Sequence, residues 1–89
     1  MIHELKTWPA PFQALVEGAK TFEFRKNDRG FEVGDTLRLL EFDPIIARYT
    51  RRETHCDVTY LLRGPAFGLP KGYVVMAVKL RPEIDDGGR

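Results

Sequence analysis

The sequence predicts a mainly β (α+β) fold, a small closed or nearly closed barrel of about five or six strands with one short helix after the first strand. Three observations predict it. Short alternating or apolar segments recur along the chain, glycine- and proline-containing turns separate them, and one early stretch alone has helical spacing. A closed sheet also removes exposed strand edges, which otherwise invite aggregation.

The 89 residues suit one domain, which we assign to residues 1–80, with a flexible tail at 81–89. The net charge is +1, so an anion site must come from local clustering rather than from the charge of the whole molecule. A single cysteine excludes an intrachain disulfide. Apolar runs are too short to span a bilayer, and the first residues do not resemble a signal peptide. We therefore expect a cytoplasmic protein without membrane contact.

The first strand is predicted at residues 2–7, and the Trp8-Pro9 pair ends it because proline cannot donate to a strand ladder. A short helix is predicted at residues 11–17, with Pro11 at the first helical position. Gly18 stands where a left-handed cap would end that helix. Three apolar residues at i, i+3 and i+4 predict a stripe facing the core: Phe12, Leu15 and Val16.

The second strand is predicted at residues 21–25, where apolar and polar side chains alternate. We interpret Phe22 and Phe24 as its core-facing side chains. The opposite face then carries polar groups on the outside or at the mouth of a cleft: Thr21, Glu23 and Arg25.

The rest of the chain alternates between turns and strands. Turns or connections are predicted at residues 27–30, 33–35, 43–50 and 63–72. Strands are predicted at residues 36–42, 51–62 and 73–80. The apolar parity slips between Leu39 and Leu40, which indicates a bulge or burial on both faces. In the strand at 51–62, one face is predicted to carry Thr54, Cys56, Val58, Tyr60 and Leu62.

The sequence gives little support for a metal site or for a nucleophilic catalytic residue. His55 and Cys56 are neighbours on a predicted strand, so they point to opposite faces and cannot share an ion. Cys56 lies on the apolar parity and is interpreted as a small buried hydrophobe. The chain has no serine, and pairing Cys56 with His3 has no support in the pattern. We expect neither a metal site nor a cofactor.

Charged residues cluster between positions 20 and 29. One interpretation is a solvated strand face with weak cross-strand pairs. The other is a site in which Lys20 and Arg25 bind phosphate or carboxylate while Glu23 accepts from amino or hydroxyl groups. Trp8 is open to two interpretations, a base-stacking surface or a core residue. A further basic cluster could contact phosphates or form a solvated hairpin tip: Arg48, Arg51 and Arg52.

The stretch GAKTFEFR, residues 18–25, resembles the G-x-K-x-x-E-x-R pattern of ASCH domains in the PUA-like superfamily. The resemblance extends over most of residues 2–80 and is nearest to a subfamily of small, largely uncharacterised bacterial and phage proteins. It implies a small PUA-like β-barrel with a helix beside a cleft. It also implies a role in binding RNA, a nucleotide or a modified nucleoside.

The resemblance also implies site residues. Gly18, Lys20, Glu23 and Arg25 occupy the places of the motif. Other members of the site are neighbours of these or belong to the RKNDR stretch typical of the subfamily. The implied binding site comprises Lys6, Trp8, Lys20, Thr21, Glu23, Arg25, Asp28 and Arg29.

One branch of ASCH proteins hydrolyses acetylated cytidine with a lysine, a threonine and a glutamate. Lys20 matches the lysine, but Glu23 stands in the place of the threonine, and we identify no counterpart of the glutamate. This departure favours binding over catalysis. Three functions stay open: an RNA- or nucleotide-binding module, a small hydrolase of a modified nucleoside with Lys20 and Glu23 as catalytic residues, and a protein-interaction domain.

Overall fold

The structure is a computed structural model that describes residues 1–81. Those residues form five strands and one helix: β1 (Ile2–Thr7), α1 (Pro9–Val16), β2 (Phe22–Lys26), β3 (Thr36–Asp43), β4 (Arg48–Arg63) and β5 (Tyr73–Leu80). The predicted mainly β class and the short helix after the first strand are confirmed. Of the predicted tail at 81–89, all but Arg81 lies outside the described residues.

The strands form one sheet in the order β1-β3-β4-β5-β2. β1 runs parallel to β3, and the other neighbours are antiparallel. The sheet is curled into a half-barrel whose edge strands are β1 and β2. Arg25 of β2 and Arg29, which follows β2, both donate to carbonyls of β1. No helix in the described part of the chain has the length and hydropathy of a membrane-spanning segment.

The core lies on the concave side of the sheet, and α1 packs against β3. Strand alternation supplies most of its side chains, since every second residue points inward. The buried apolar cluster consists of Leu5, Phe12, Leu15, Phe31, Leu37, Leu39, Cys56, Val58, Val74, Met76 and Val78.

Helix α1 begins two residues earlier than predicted, at Pro9. Pro9 suits the first helical position as well as Pro11 does, because the first turn leaves its N–H groups without helical partners. Gly18 has φ +84°, which confirms the left-handed cap. Val16 was predicted to face the core but is exposed at the helix end.

Two register shifts change which side chains point inward. The shift between Leu40 and Phe42 of β3 confirms the irregularity that the apolar parity indicated there. A second shift lies between Val58 and Tyr60 of β4. The predicted shared face of Cys56 and Tyr60 is therefore wrong: Tyr60 is exposed, and Leu61 packs against the core instead.

The predicted orientation of β2 is wrong. Phe22 and Phe24 are 47% and 51% exposed, whereas Glu23 is only 3% exposed. The cause is the pairing with β5, where Glu23 lies opposite the buried Met76. On the outer face, the Phe24 ring stacks on Tyr73 with 5.5 Å between ring centroids.

Asp35 ties the turn before β3 to the first strand. Its Oδ2 lies 2.8 Å from His3 Nε2 and accepts a hydrogen bond from the Glu32 N–H at 3.0 Å. Burial alone would raise the pKa of Asp35, but these hydrogen bonds hold it below its ordinary value of 3.8. A carboxylate stabilised in this way makes its full contribution to the free energy of unfolding at pH values above its pKa in the unfolded chain. That contribution is lost as pH falls through its lower pKa in the folded protein.

We expect Asp35→Asn to destabilise the protein by about 1–3 kcal/mol at neutral pH, because the contacts around His3 and Glu32 lose their charge assistance. Denaturant unfolding across acid pH tests this. The parent should lose stability as pH falls below about 4, and the variant should lose less over the same range. Parallel losses in the two proteins would show that Asp35 does not carry the acid dependence.

Candidate functional site

A cleft of about 340 Å³ opens beside the end of β1, the start of α1 and β2. Lys6, Thr7 and Trp8 line it on one side. The opposite side comes from β2 and the residue that leads into it: Lys20, Phe22, Glu23, Phe24 and Arg25. The cleft therefore brings cations, a carboxylate and aromatic rings to one place.

Glu23 lies at the floor of the cleft and is held by two cations. Its Oε1 accepts a hydrogen bond from Arg25 Nε at 3.0 Å, and its Oε2 accepts one from Lys20 Nζ. Lys20 Nζ also donates to the Phe22 carbonyl at 2.7 Å. The side chains of Lys20 and Arg25 are 18% and 25% exposed, so they cover the carboxylate without leaving the solvent. A buried carboxylate requires such pairing.

Arg25 also joins the two edges of the half-barrel. Its Nη2 donates to the Lys6 carbonyl at 2.9 Å and lies 3.3 Å from Thr7 Oγ1. Arg29 Nη1 donates to the Glu4 carbonyl at 2.9 Å. Two carbonyls on the edge of β1 are thus satisfied by side chains rather than by a neighbouring strand. The same guanidinium that holds Glu23 therefore also bridges β2 to β1, the two edges that meet at the seam of the half-barrel.

Exposed aromatic rings form the rim of the cleft. Trp8 and the two phenylalanines of β2 are all largely exposed. Lys20 Nζ lies 5.0 Å from the centroid of the Phe22 ring. Exposed aromatic rings and cationic side chains therefore lie next to each other at the rim of the cleft.

The structure brings together most of the predicted site. Lys6, Trp8, Lys20, Glu23 and Arg25 all line the cleft. The other predicted members lie outside its lining in the described structure, and each has a different position. Thr21 is exposed and its carbonyl accepts from the Val78 N–H, Asp28 is exposed in the turn after β2, and Arg29 lies at the seam.

Sequence reasoning missed four residues that line the cleft: Thr7, Pro11, Phe22 and Phe24. A signal existed for Thr7, since it follows Lys6 in β1 and shares the inward parity of His3 and Leu5. No local signal marked the phenylalanines, because their alternation is also that of a strand with an apolar inner face.

Cys56 is buried, as predicted, and does not contribute a reactive thiol. Burial raises its pKa to about 12, and the negative charges of Glu23 and Asp57 act in the same direction. A thiol with so high a pKa is a poor nucleophile at neutral pH. Within residues 1–81, no group of three or more His, Cys, Asp or Glu side chains is placed to hold a metal ion.

Two arginines of the predicted cluster lie on a different surface. Arg51 and Arg52 line a second groove of about 560 Å³ beside α1. Arg52 Nη2 donates to Gln13 Oε1 at 3.0 Å, and its guanidinium lies 5.0 Å from the Phe12 ring centroid. Within the described structure this groove shares no lining residue with the cleft. These arginines therefore do not extend the cleft.

Comparison with known proteins places the chain in a family. The "Uncharacterized 12.9 kDa protein in GpA 3'region" of Escherichia phage P2 is 41% identical over 58 residues, which are 65% of this chain and 51% of the phage protein. The chain spans about half the length of this curated relative, and the match confirms the predicted similarity to a phage protein. Residues 2–78 match the family model described as "Domain of unknown function (DUF3850)". Since that match covers most of the sequence, the chain belongs to the DUF3850 family.

Proposed function

We propose that this protein is an RNA- or nucleotide-binding module and that the cleft around Glu23 is its binding site. The observation that carries the proposal is the composition of the cleft: a carboxylate held by Lys20 and Arg25 lines the same cleft as exposed aromatic rings. Nucleobases need both kinds of group, since they offer a flat π surface and a polar edge.

The aromatic rim supports base stacking. Trp8, Phe22 and Phe24 present ring faces or edges beside the cleft, and such rings stack on bases of any sequence. The alternative explanation, that these rings fill the core, does not apply to side chains exposed to this degree.

The cationic groups support contact with a small anionic ligand. Lys6 is exposed at the rim, where its ammonium lies 4.2 Å from the Phe42 ring centroid and can meet a phosphate. The net charge of +1 does not favour a long nucleic acid. The cleft volume of about 340 Å³ is at the small end of the range for ligand pockets, which suits one nucleotide. A single nucleotide or a short single-stranded segment is therefore the preferred ligand.

We further propose that the domain is an ASCH-type member of the PUA-like superfamily. Two features support it: the half-barrel with a helix beside a cleft, and the position of the motif residues. Gly18 closes α1, and the side chains of Lys20, Glu23 and Arg25 converge within that cleft.

The hydrolase alternative has weaker support. A lysine that acts as a general base or nucleophile must present its nitrogen lone pair to the substrate. Lys20 Nζ instead donates to the Phe22 carbonyl and to Glu23. The protein-interaction alternative rests on a different surface, because the β3–β4 hairpin tip exposes Ile45 and Ile46.

Replacing the rim aromatics tests the proposal. We expect Trp8→Ala and Phe22→Ala each to weaken binding of a short mixed-sequence single-stranded RNA about 5- to 150-fold, the loss of about 1–3 kcal/mol of stacking. Fluorescence anisotropy with labelled RNA measures the change. Tyr60→Ala is the matched control, since it removes an exposed aromatic ring from a strand outside the cleft. RNA affinity that is equal in all four proteins would reject the cleft as the binding site.

A further inference from the structure

We propose that the cleft recognises the edge of a cyclic imide, the acceptor–donor–acceptor pattern that uracil presents. The inference rests on the proposed nucleotide-binding function and specifies which base the cleft selects. It follows from the hydrogen-bonding groups that Lys20, Glu23 and Arg25 still have available after their contacts with one another.

The three side chains do not exhaust their hydrogen-bonding capacity. Lys20 Nζ carries three hydrogens, and its described contacts are with Glu23 Oε2 and the Phe22 carbonyl. Arg25 donates through Nε and Nη2, and among residues 1–81 its Nη1 has no protein acceptor. Each oxygen of Glu23 accepts one hydrogen bond, although a carboxylate oxygen has two lone pairs.

The order of these groups is set by the two ion pairs. Lys20 binds one oxygen of Glu23 and Arg25 binds the other, so the carboxylate lies between the two cations. Since the single Nε hydrogen of Arg25 is already donated to Glu23, the groups left for a ligand are a hydrogen of Lys20 Nζ, a lone pair of Glu23 and the Nη1 hydrogens of Arg25, in the order donor, acceptor, donor. A matching ligand edge must present an acceptor, a donor and an acceptor in that order.

The charges restrict the ligand group further. A phosphate at the floor would meet the carboxylate of Glu23, and an ammonium would meet Lys20 and Arg25, so neither ion suits this position. A neutral polar edge suits it. The imide of uracil, O4, N3–H and O2, has the required order. Cytosine presents a donor followed by two acceptors, and guanine an acceptor followed by two donors, so each leaves a mismatch with the floor.

Phenylalanine and tryptophan rings at the rim allow the same base to stack while its edge points to the floor. Thymine and the isoalloxazine ring of a flavin carry the same imide edge as uracil. The shared chemistry is therefore the imide, and the choice among its sources is left to the experiment.

Calorimetry with uridine, cytidine and guanosine monophosphates tests the inference on the unmodified protein. We expect the uridine nucleotide to bind about 5- to 150-fold more tightly than the other two, because each mismatch leaves a buried polar group without a partner. The decisive probe is 3-methyluridine monophosphate, which lacks the N3 donor but keeps both carbonyls. Its affinity should be lower than that of uridine monophosphate by a similar factor of about 5 to 150.

Thymidine monophosphate and flavin mononucleotide distinguish the sources of the imide. If either of them binds more tightly than uridine monophosphate, the cleft still recognises an imide edge, but thymine or flavin rather than uracil is its source. Glu23→Gln should reduce the preference for uridine over cytidine nucleotide to about equal affinity, since an amide replaces one acceptor with a donor. The 3-methyl probe needs no protein variant, so a folding defect in Glu23→Gln does not affect the test.

The outcomes separate this inference from the proposed function. If all the nucleotides, including the 3-methyl derivative, bind with similar affinity and lose it in Trp8→Ala, the cleft is a nucleotide site and the imide inference is wrong. If no nucleotide and no short oligo(U) or oligo(C) strand binds, both proposals are wrong.

Discussion

Arg25→Ala is expected to lower the free energy of unfolding by about 2–3 kcal/mol. Removing one partner of a buried ion pair typically costs about 3–5 kcal/mol, and here Lys20 remains to compensate part of the charge of Glu23. The same substitution deprives the Lys6 carbonyl and the Thr7 hydroxyl of their donor at the barrel seam. Denaturant unfolding at neutral pH measures the loss.

Two variants give this prediction its controls. Arg25→Lys retains the charge but not the forked geometry that reaches Glu23 and β1 together, so an intermediate loss is expected. Arg38→Ala breaks an ion-pair cluster with Glu4 and Glu53 on the exposed face of the sheet, and should cost clearly less than Arg25→Ala. Equal losses for Arg25→Ala and Arg38→Ala would contradict the assignment of Arg25 to the seam and the buried pair.

Gly64→Ala is expected to be at least as damaging, with a loss of about 3 kcal/mol or more. A Cβ at Gly64 would overlap the carbonyl oxygen of Pro70 and stand 2.7 Å from its carbonyl carbon. Both atoms belong to the backbone, so no side-chain rotation can relieve the overlap. Because Gly64 N–H donates to the Tyr73 carbonyl at 2.9 Å, the loop must shift at the point where it sets the start of β5.

The consequence of Gly64→Ala should reach the cleft proposed as the binding site, since β2 pairs with β5 along its whole length. Unfolding experiments and RNA binding by the folded fraction measure the two effects. Gly68→Ala is the control in the same loop: its backbone has φ +83°, but a Cβ there would have no atom within 4 Å. It should therefore cost only about 1–2 kcal/mol of backbone strain. If Gly64→Ala lowers the free energy of unfolding no more than Gly68→Ala does, the loop accommodates the added Cβ and this prediction is wrong.

Local patterns were enough to locate nearly every element. The helix, its glycine cap and the strands are marked by side-chain periodicity and by proline and glycine, which act over a few residues. The bulge between Val58 and Tyr60 left no such mark. The apolar alternation continues through it in the sequence, and only the pairing of β4 with β5 reveals the extra residue.

The membership of the site was also partly predictable. Lys20, Glu23 and Arg25 stand out as a spaced set of charges, and they meet in the cleft. Asp28 and Arg29 were included because they belong to the RKNDR stretch of the resemblance, but they follow the end of β2 and do not line the cleft. Closeness along the chain is a poor guide once a strand ends.

The orientation of β2 is the point at which local reasoning fails. Alternation shows that Phe22 and Glu23 lie on opposite faces, but it does not say which face is inside. That choice depends on the register with β5, on the two cations that neutralise Glu23, and on the contact of Arg25 with β1. The sequence alone therefore specifies the elements, their order and the charged motif. The long-range contacts, which no local pattern records, place the carboxylate inside and the aromatic rings at the rim.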